Sequence, residues 1–274
     1  MPSTWNVLRL LALSAGGLAM SGGAISGGAA WAAPPQGYEL VWADEFDTLN
    51  ASDDQIRFGT RWTNHLWYHG GNGPLDIPVP QALAVAKGKL LITASRAQNG
   101  RYLGGTLSSV NAQGQGFVRT YGYWELRAKF AKGYQMLTSL YLVSQPHIIR
   151  PSVPPDPFEI DVVEHNGGSP TMVGNTVHWY DDGRHSFNRD DKTDTGVDLT
   201  ADYHVYGMEW TRATIRFFFD GHMTREVPTP PDGHVPMATL LVLYVSDWGG
   251  GVTADTPARS RASIDYVRVY ARPD

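Results

Sequence analysis

Apolar and polar residues alternate with a period of two through most of the chain beyond residue 37, and this pattern constrains the fold most strongly. Successive side chains of a β-strand point to opposite faces, so such alternation is typical of strands with one buried face. No long amphipathic helical pattern competes with it. The predicted strands span residues 38–46, 90–96, 122–130, 136–143, 158–165, 175–180, 204–210, 214–220, 239–246 and 263–270.

Turn signals separate these strands, for example Lys87-Gly88, Asp220-Gly221 and Asp232-Gly233. Short strands at this density predict an all-β sandwich or barrel. Two longer connections interrupt the pattern: residues 144–157 hold five prolines, and residues 181–203 are polar and rich in aspartate. Connections of this length are often functional, and a merely flexible loop is the alternative. No internal repeat marks a second domain, so we expect one.

The first 32 residues have the pattern of an export signal. Arg9 supplies positive charge, residues 10–18 form a weakly apolar stretch, and Ala30-Trp31-Ala32 resembles a small-x-small cleavage site. A membrane anchor is the alternative, but repeated glycines interrupt any apolar run of spanning length. We therefore expect a signal peptide over 1–32, a folded domain over 33–274 and a secreted product, extracellular or periplasmic, that leaves the membrane after cleavage.

Composition excludes several kinds of partner and chemistry. The formal net charge is −5 and no basic run is present, which argues against a nucleic acid or an anionic membrane surface. The chain has no cysteine, so disulfides, thiol chemistry and a cysteine-based zinc site are excluded. The 9 tryptophans and 13 tyrosines suit sugar binding, because aromatic rings stack on pyranose faces, although many of them must lie in the core.

The stretch FEIDVVEH, residues 158–165, places three carboxylates among apolar residues. On a helix the three acids would scatter around the axis at about 100° per residue. On a regular strand Glu159 and Asp161 share one face, whereas Glu164 falls on the other. The doubled valine, Val162-Val163, supplies one extra residue, so a β-bulge there would return Glu164 to the face of the other two acids.

Three acids on one face are suited to glycosidic bond cleavage. A retaining glycosidase needs two carboxyl groups about 5–5.5 Å apart, one ionised as nucleophile and one protonated as acid. With the bulge, the backbones of Glu159 and Glu164 lie roughly 13 Å apart, and their side chains can lean across much of that distance. Like charges this close raise one pKa. The alternative is the polar face of an exposed strand, where lysine and threonine would be more typical.

These residues resemble the E-x-D-x-x-E signature of glycoside hydrolase family 16, in the bulged form typical of its laminarinase, agarase and carrageenase branches. Lichenases and xyloglucan transglycosylases usually carry the unbulged E-x-D-x-E. The resemblance runs from about residue 40 to 271. It includes, in the family's order, the segments VWADEFD, KLLITASR, YGYWELRAKF, YHVYGMEWTRATIRFFFDG and IDYVRVY.

The resemblance implies a β-jelly roll of two packed antiparallel sheets with a concave substrate cleft. It implies that Glu159 is the nucleophile, Asp161 an assisting acid and Glu164 the general acid/base. The candidate substrate-binding residues are His178, expected near Glu164, and Tyr141, Trp179, Trp248 and Arg96. No cofactor is needed for catalysis. A structural calcium at Glu45, Gly88 and Asp265 is a further expectation, although acids at strand ends are as often plain hydrogen-bond partners.

The function predicted on this basis is that of a secreted, endo-acting, retaining glycosidase, monomeric, acting on a β-1,3- or β-1,3-1,4-glucan. Within the same fold, the alternatives are a depolymerase of a galactan or bacterial exopolysaccharide, or a transglycosylase. In another class, the alternative is a non-catalytic carbohydrate-binding sandwich, which would be expected to lack one of the acids. A serine hydrolase is disfavoured because no G-x-S-x-G elbow is present.

Overall fold

The structure is a computed structural model that describes residues 34–54, 56–57, 59–64, 76–150, 158–181, 184–188, 191–246 and 251–273. The predicted signal peptide and Trp248 lie outside these residues.

Strands make up most of the described chain. In chain order they are β1 (Glu39–Asp44), β2 (Ala51–Ser52), β3 (Trp62–Asn64), β4 (Asp76–Pro78), β5 (Leu83–Val85), β6 (Leu90–Arg96), β7 (Tyr102–Ser108), β8 (Val118–Arg119), β9 (Gly122–Lys129), β10 (Met136–Ser144), β11 (Glu159–Asn166), β12 (Met172–Gly174), β13 (Val177–Asp181), β14 (Arg184–Phe187), β15 (Lys192–Asp194), β16 (His204–Trp210), β17 (Thr214–Phe219), β18 (His222–Pro228), β19 (Met237–Val245) and β20 (Arg259–Ala271). The helical elements of the described residues are a 3₁₀ turn (Pro80–Ala82) and α1 (Gln145–Ile149). Neither is long enough to cross a membrane.

The strands form two layers, which are antiparallel apart from the short parallel pairings of β2 with β3 and of β4 with β7. The cleft sheet has the order β14-β13-β11-β10-β19-β7-β3, with β12 and β15 continuing beside β11. The outer sheet has the order β18-β17-β16-β9-β20-β6-β5, with β1 also beside β20. This is the β-jelly-roll sandwich that was predicted.

Strand β7 joins the two layers. Its first residues pair with β6 in the outer sheet, and residues 105–108 pair with β19 in the cleft sheet. At the crossing, a Cβ on Gly105 would lie 2.7 Å from the side chain of Ile92, so only glycine fits without rearrangement. This strand was missed in the sequence because it is buried on both faces and contains two glycines, which remove the alternation.

The core lies between the layers and orients the site. Every second residue of β10 points inward, including Leu140 and Leu142, and Ile160 of β11 points inward beside them; all three are fully buried. From the outer sheet, Trp124 reaches across and donates its Nε1–H to Thr239 Oγ1 of β19 at 3.0 Å. Burial of each large apolar side chain contributes about 1.5–3 kcal/mol to stability. Because burial fixes these residues inward, the residues between them on the same strand face the cleft.

Candidate active site

A β-bulge brings the three acids of β11 to one face. Across the pairing with β10, Glu164 is opposite Ser139 and Asp161 is opposite Tyr141. Three residue steps on β11 therefore match two steps on β10, and Val162 is the extra residue. The predicted bulge is confirmed.

Burial of both valines explains why the bulge forms here. Val162 is 1% exposed and Val163 is 0% exposed, and both belong to the core between the sheets. In a regular strand one of them would point into the cleft. The bulge lets both side chains leave water, while Glu164 is returned to the cleft face.

The three acids line one cavity, of about 310 Å³, on the cleft sheet; we call it the acid cavity. Its remaining lining residues are Leu137, Ser139, Tyr141, Thr176, His178, His185, Phe187, Asp191, Val242 and Tyr244. An adjoining cavity of about 660 Å³, the second cavity, shares Leu137, Glu164 and Asp191 with it. Glu164 therefore lies where the two cavities meet.

The environment of Glu164 favours its protonated form. Burial raises the pKa of Glu164 well above its usual range, and the negative charges of Asp161 and Glu159 raise it further, whereas His178 acts in the opposite direction. A carboxyl group that keeps its proton at neutral pH is able to donate it to a departing oxygen.

Asp161 is held at the centre of the site. Its backbone N–H donates to the carbonyl of Thr176 at 2.7 Å, and its Oδ2 lies 3.2 Å from His178 Nε2. Burial, followed by the charge of Asp191, raises the pKa of Asp161 to about 8. Asp161 therefore also favours the protonated form near neutral pH, in which a carboxyl can donate a hydrogen bond.

His178 contacts Asp161 directly. The sequence placed this histidine near Glu164, and His178 lines the acid cavity together with Glu164. It also hydrogen-bonds Asp161 on one side and, through Nδ1, makes a 2.9 Å contact with His185 Nε2 on the other. The two imidazole rings are stacked, with centroids 5.1 Å apart. Since an N···N hydrogen bond holds one proton, one of the two rings accepts in it.

Sequence reasoning missed His185 and Asp191, because both lie in the segment 181–203 that was predicted to be a connection. That prediction was wrong, since the segment contains β14 and β15. Strand β14 pairs with β13 so that His185 is opposite Tyr180. An Asp-Gly pair at 182–183, between two runs containing aromatic residues, is a hairpin signal that could have located β14.

The other candidate substrate-binding residues separate into two groups. Tyr141 lines the acid cavity. Trp179 follows His178 on β13, so it points to the opposite face, where it packs against the core. Arg96 is an exposed residue of β6 whose Nε donates to the carbonyl of Gly100 at 3.4 Å. Trp179 and Arg96 therefore lie away from both cavities.

The residues expected to bind calcium are engaged with cationic side chains. Both carboxylate oxygens of Glu45 accept from Arg268, each at 2.8 Å. Asp265 forms ion pairs with Lys89 and Arg127. Gly88 occupies a turn with φ of 64°. Because arginine and lysine already neutralise the two acids, these positions offer no uncompensated negative charge to a cation.

Among the described residues, Glu159, Asp161 and His178 are the group that could hold a metal ion by spacing, with one ligand atom from each within 4.8 Å of the others. Within this group, Asp161 and His178 are also hydrogen-bonded to each other.

The comparison with known protein families agrees with this geometry. The family model for glycosyl hydrolases family 16 matches residues 80–268, which include β11 and its neighbours in the cleft sheet. This chain belongs to glycosyl hydrolase family 16. It is a glycoside hydrolase, and enzymes of family 16 need no catalytic cofactor.

Relatives in family 16 differ in how much of their length this chain covers. A β-glucanase of Rhodothermus marinus is 29% identical over 255 residues, covering 85% of each chain. An endo-1,3-1,4-β-glycanase of Rhizobium meliloti is 28% identical over 257 residues, covering 84% of this chain and 51% of its own length. The chain thus spans about half of that longer protein.

Solved structures of family 16 share the fold. A non-specific endo-β-1,3(4)-glucanase superposes with a TM-score of 0.70 at 25% identity, covering 89% of this chain and 95% of its own. The laminarinase catalytic domain from Thermotoga maritima superposes with a TM-score of 0.69 at 23% identity, covering 87% of this chain and 100% of its own.

Proposed function

We propose that this family 16 chain is an endo-acting, retaining glycoside hydrolase that cleaves β-1,3- or β-1,3-1,4-glucan. The observation that supports it most directly is the bulge, which sets Glu159 and Glu164 on one face of one cavity with Asp161 between them. The names of the relatives support the substrate class: β-glucanase, endo-1,3-1,4-β-glycanase and laminarinase.

In the proposed reaction, Glu159 attacks the anomeric carbon while Glu164 gives its proton to the glycosidic oxygen, so the leaving sugar departs as an alcohol. A covalent glycosyl-enzyme ester on Glu159 results. Glu164, now ionised, removes a proton from water, and the resulting hydroxide displaces Glu159. Each displacement inverts the anomeric carbon, so the product keeps the configuration of the substrate.

Spacing supports this assignment. Glu159 and Glu164 are opposite Val143 and Ser139 of β10, which are four residues apart, so the two backbones are separated by roughly 13 Å. Their side chains point into the same cavity, and the charge of Glu159 acts on Glu164. The raised pKa of Glu164 fits the general acid.

In this proposal, Asp161 and His178 hold the nucleophile Glu159 in position. An oxygen of Glu159 lies within 4.8 Å of ligand atoms of both residues. A protonated Asp161 can donate a hydrogen bond that fixes Glu159 before attack. His178, hydrogen-bonded to Asp161 on one side and His185 on the other, fixes Asp161 in turn.

A polysaccharide panel tests the substrate class. Purified protein is incubated with laminarin, mixed-linkage β-glucan, agarose, carrageenan and an acidic exopolysaccharide, and products are sized over time. We expect oligosaccharides of several lengths early in the reaction with the two β-glucans, and none with the Glu159→Ala variant. Cleavage confined to a galactan would contradict the substrate assignment. Glycan binding without cleavage would contradict the enzyme assignment.

A further inference from the structure

We propose that Asp191 is a positioning residue that keeps the proton on Glu164 until the glycosidic oxygen accepts it. The proposal rests on the proposed role of Glu164 as general acid, and it adds a fourth acid to the site from outside β11.

Asp191 is fixed beside the catalytic strand by both its backbone and its side chain. Its carbonyl accepts the N–H of Asn175 at 2.8 Å, and its Oδ2 accepts the hydroxyl of Thr176 at 3.1 Å. The carbonyl of Thr176 in turn accepts the N–H of Asp161. Thr176 therefore links Asp191 to Asp161 of the catalytic strand by hydrogen bonds.

The strand register places Asp191 close to Glu164. Glu164 of β11 is paired with Gly174 of β12, and Gly174 is paired with Lys192 of β15. Asp191 precedes Lys192, and it lines both of the cavities that meet at Glu164. Gly174 carries no side chain, and a Cβ there would lie 3.7 Å from Glu164 Oε2. No side chain of β12 at that position therefore separates Glu164 from the end of β15.

Charges around Glu164 come from several elements. Glu159 and Asp161 lie on β11, and Asp191 adds a third negative charge from the start of β15. The other titratable side chains that line the two cavities are Tyr134, Tyr141, Tyr244, His178, His185 and Lys192. Burial is the largest cause of the raised pKa of Glu164, followed by the charges of Asp161 and Glu159, and the charge of Asp191 adds to them. Burial is also the largest cause of the raised pKa of Asp161, and the charge of Asp191 is the second cause there.

The sign of the effect follows from this placement. A negative charge near a carboxyl group disfavours loss of its proton. Removing the charge of Asp191 therefore lets Glu164 ionise at lower pH, and the fraction of enzyme holding the catalytic proton falls sooner as pH rises. A residue that only braced β15 would change stability and leave the pH dependence of the reaction in place.

The test uses Asp191→Asn, which keeps an oxygen to accept from Thr176 and removes the charge. In protein labelled with ¹³C at glutamate carboxyl groups, the Glu164 signal, identified by its loss in Glu164→Gln, is titrated by NMR. We expect its midpoint to fall in Asp191→Asn, because the negative charge that disfavours loss of the proton is removed. The basic limb of the kcat/KM profile, on the polysaccharide that the wild-type enzyme cleaves, is expected to move down by a similar amount.

Asp194→Asn is the matched control, because Asp194 is an exposed acid on the same strand β15 and lines neither cavity. It should leave both the titration and the profile unchanged. Asp191→Ser, which also removes the charge and keeps a hydroxyl oxygen beside Thr176, covers the case in which Asp191→Asn does not fold, and it should shift the same midpoint in the same direction. An unmoved Glu164 midpoint in a folded variant would overturn the proposal. So would a shifted midpoint with an unmoved kcat/KM profile. Because the titration needs no substrate, failure of the proposed glucan specificity would be seen separately.

Discussion

At the scale of single residues, the site separates three similar carboxyl groups by their surroundings. Glu164 lies where two cavities meet and is held towards its protonated form by burial and neighbouring charge. Asp161 is 3% exposed and contacts an imidazole. The same functional group, a carboxyl, thereby fills different roles in the proposed reaction, because its environment differs from one residue to the next.

Asp161→Asn is expected to stabilise the fold and impair the reaction. The folded-state pKa of Asp161 is raised to about 8 from 3.8. Between these values the unfolded chain loses the proton that the folded chain keeps, so the stability of the wild type falls as pH rises from about 4 to 8. Asparagine removes that dependence.

We therefore expect the variant to have a higher free energy of unfolding and a higher Tm than the wild type at pH 8, and to differ little from it at pH 4. Its kcat should fall by about 100-fold, because asparagine can donate a hydrogen bond to Glu159 but, unlike Asp161, cannot release or take up a proton as the charge on Glu159 changes. Thermal melts at both pH values, run beside a kinetic assay, measure both effects. Equal Tm values at pH 8, or unchanged rates across pH, would rule out the role given to Asp161.

At the scale of the element, the bulge in β11 connects packing to chemistry. Deleting Val162 would leave Glu159, Asp161 and Glu164 on one face of a regular strand, with their partners on β10 unchanged. Inserting an alanine after Val163 would instead turn the Glu164 side chain into the core if the bulge is kept, and an ionised carboxylate is strongly disfavoured there. If the strand becomes regular, Val163 turns into the cleft and Glu164 moves from Ser139 to Leu137 of β10, further from Glu159.

We expect the deletion variant to fold, with a loss of about 1.5–3 kcal/mol for one buried valine, and to retain measurable activity. The insertion variant is expected to fail to fold or to lose activity altogether. Circular dichroism melts and hydrolysis of the best substrate compare the two. A folded, active insertion variant beside an unfolded deletion variant would contradict the register that we describe.

The elements also show what the sequence could predict and what it could not. Strands β6 and β16 were predicted residue for residue. Strand β6 alternates with one buried face, whereas β16 is buried along nearly its whole length. The doubled valine predicted the bulge. Trp179 was assigned to the cleft although it follows His178, and period-two alternation already excludes both from one face.

Asp191 could not be found from the sequence in this way. It joins the site through a ladder that runs from β11 over β12 to β15, and pairing between strands far apart in the chain leaves no local pattern. The ion pairs of Glu45 and Asp265 were missed for a similar reason, since their arginine and lysine partners lie far away in the chain.

At the scale of the whole molecule, we propose that residues 1–32 direct export and that residues 33–274 form the enzyme. The proposal is supported by Arg9, the weakly apolar stretch and Ala30-Trp31-Ala32. A polysaccharide too large to enter a cell would require an enzyme outside it. Amino-terminal sequencing of protein from the culture medium or periplasm should give a chain beginning at Ala33. An uncleaved chain in the membrane fraction would refute the proposal.

The configuration of the first product tests the central claim, that Glu159 and Glu164 lie on one face as nucleophile and acid. An inverting enzyme needs about 6.5–9.5 Å between its carboxyl groups to admit water, whereas retention proceeds at about 5–5.5 Å. Proton NMR of the wild-type reaction, recorded before mutarotation, reports the anomer formed at the new reducing end. We predict that the β-anomer appears first from a β-linked glucan and that the α-anomer grows later as the sugar equilibrates. An α-anomer that appears first would contradict the same-face arrangement and both roles assigned from it.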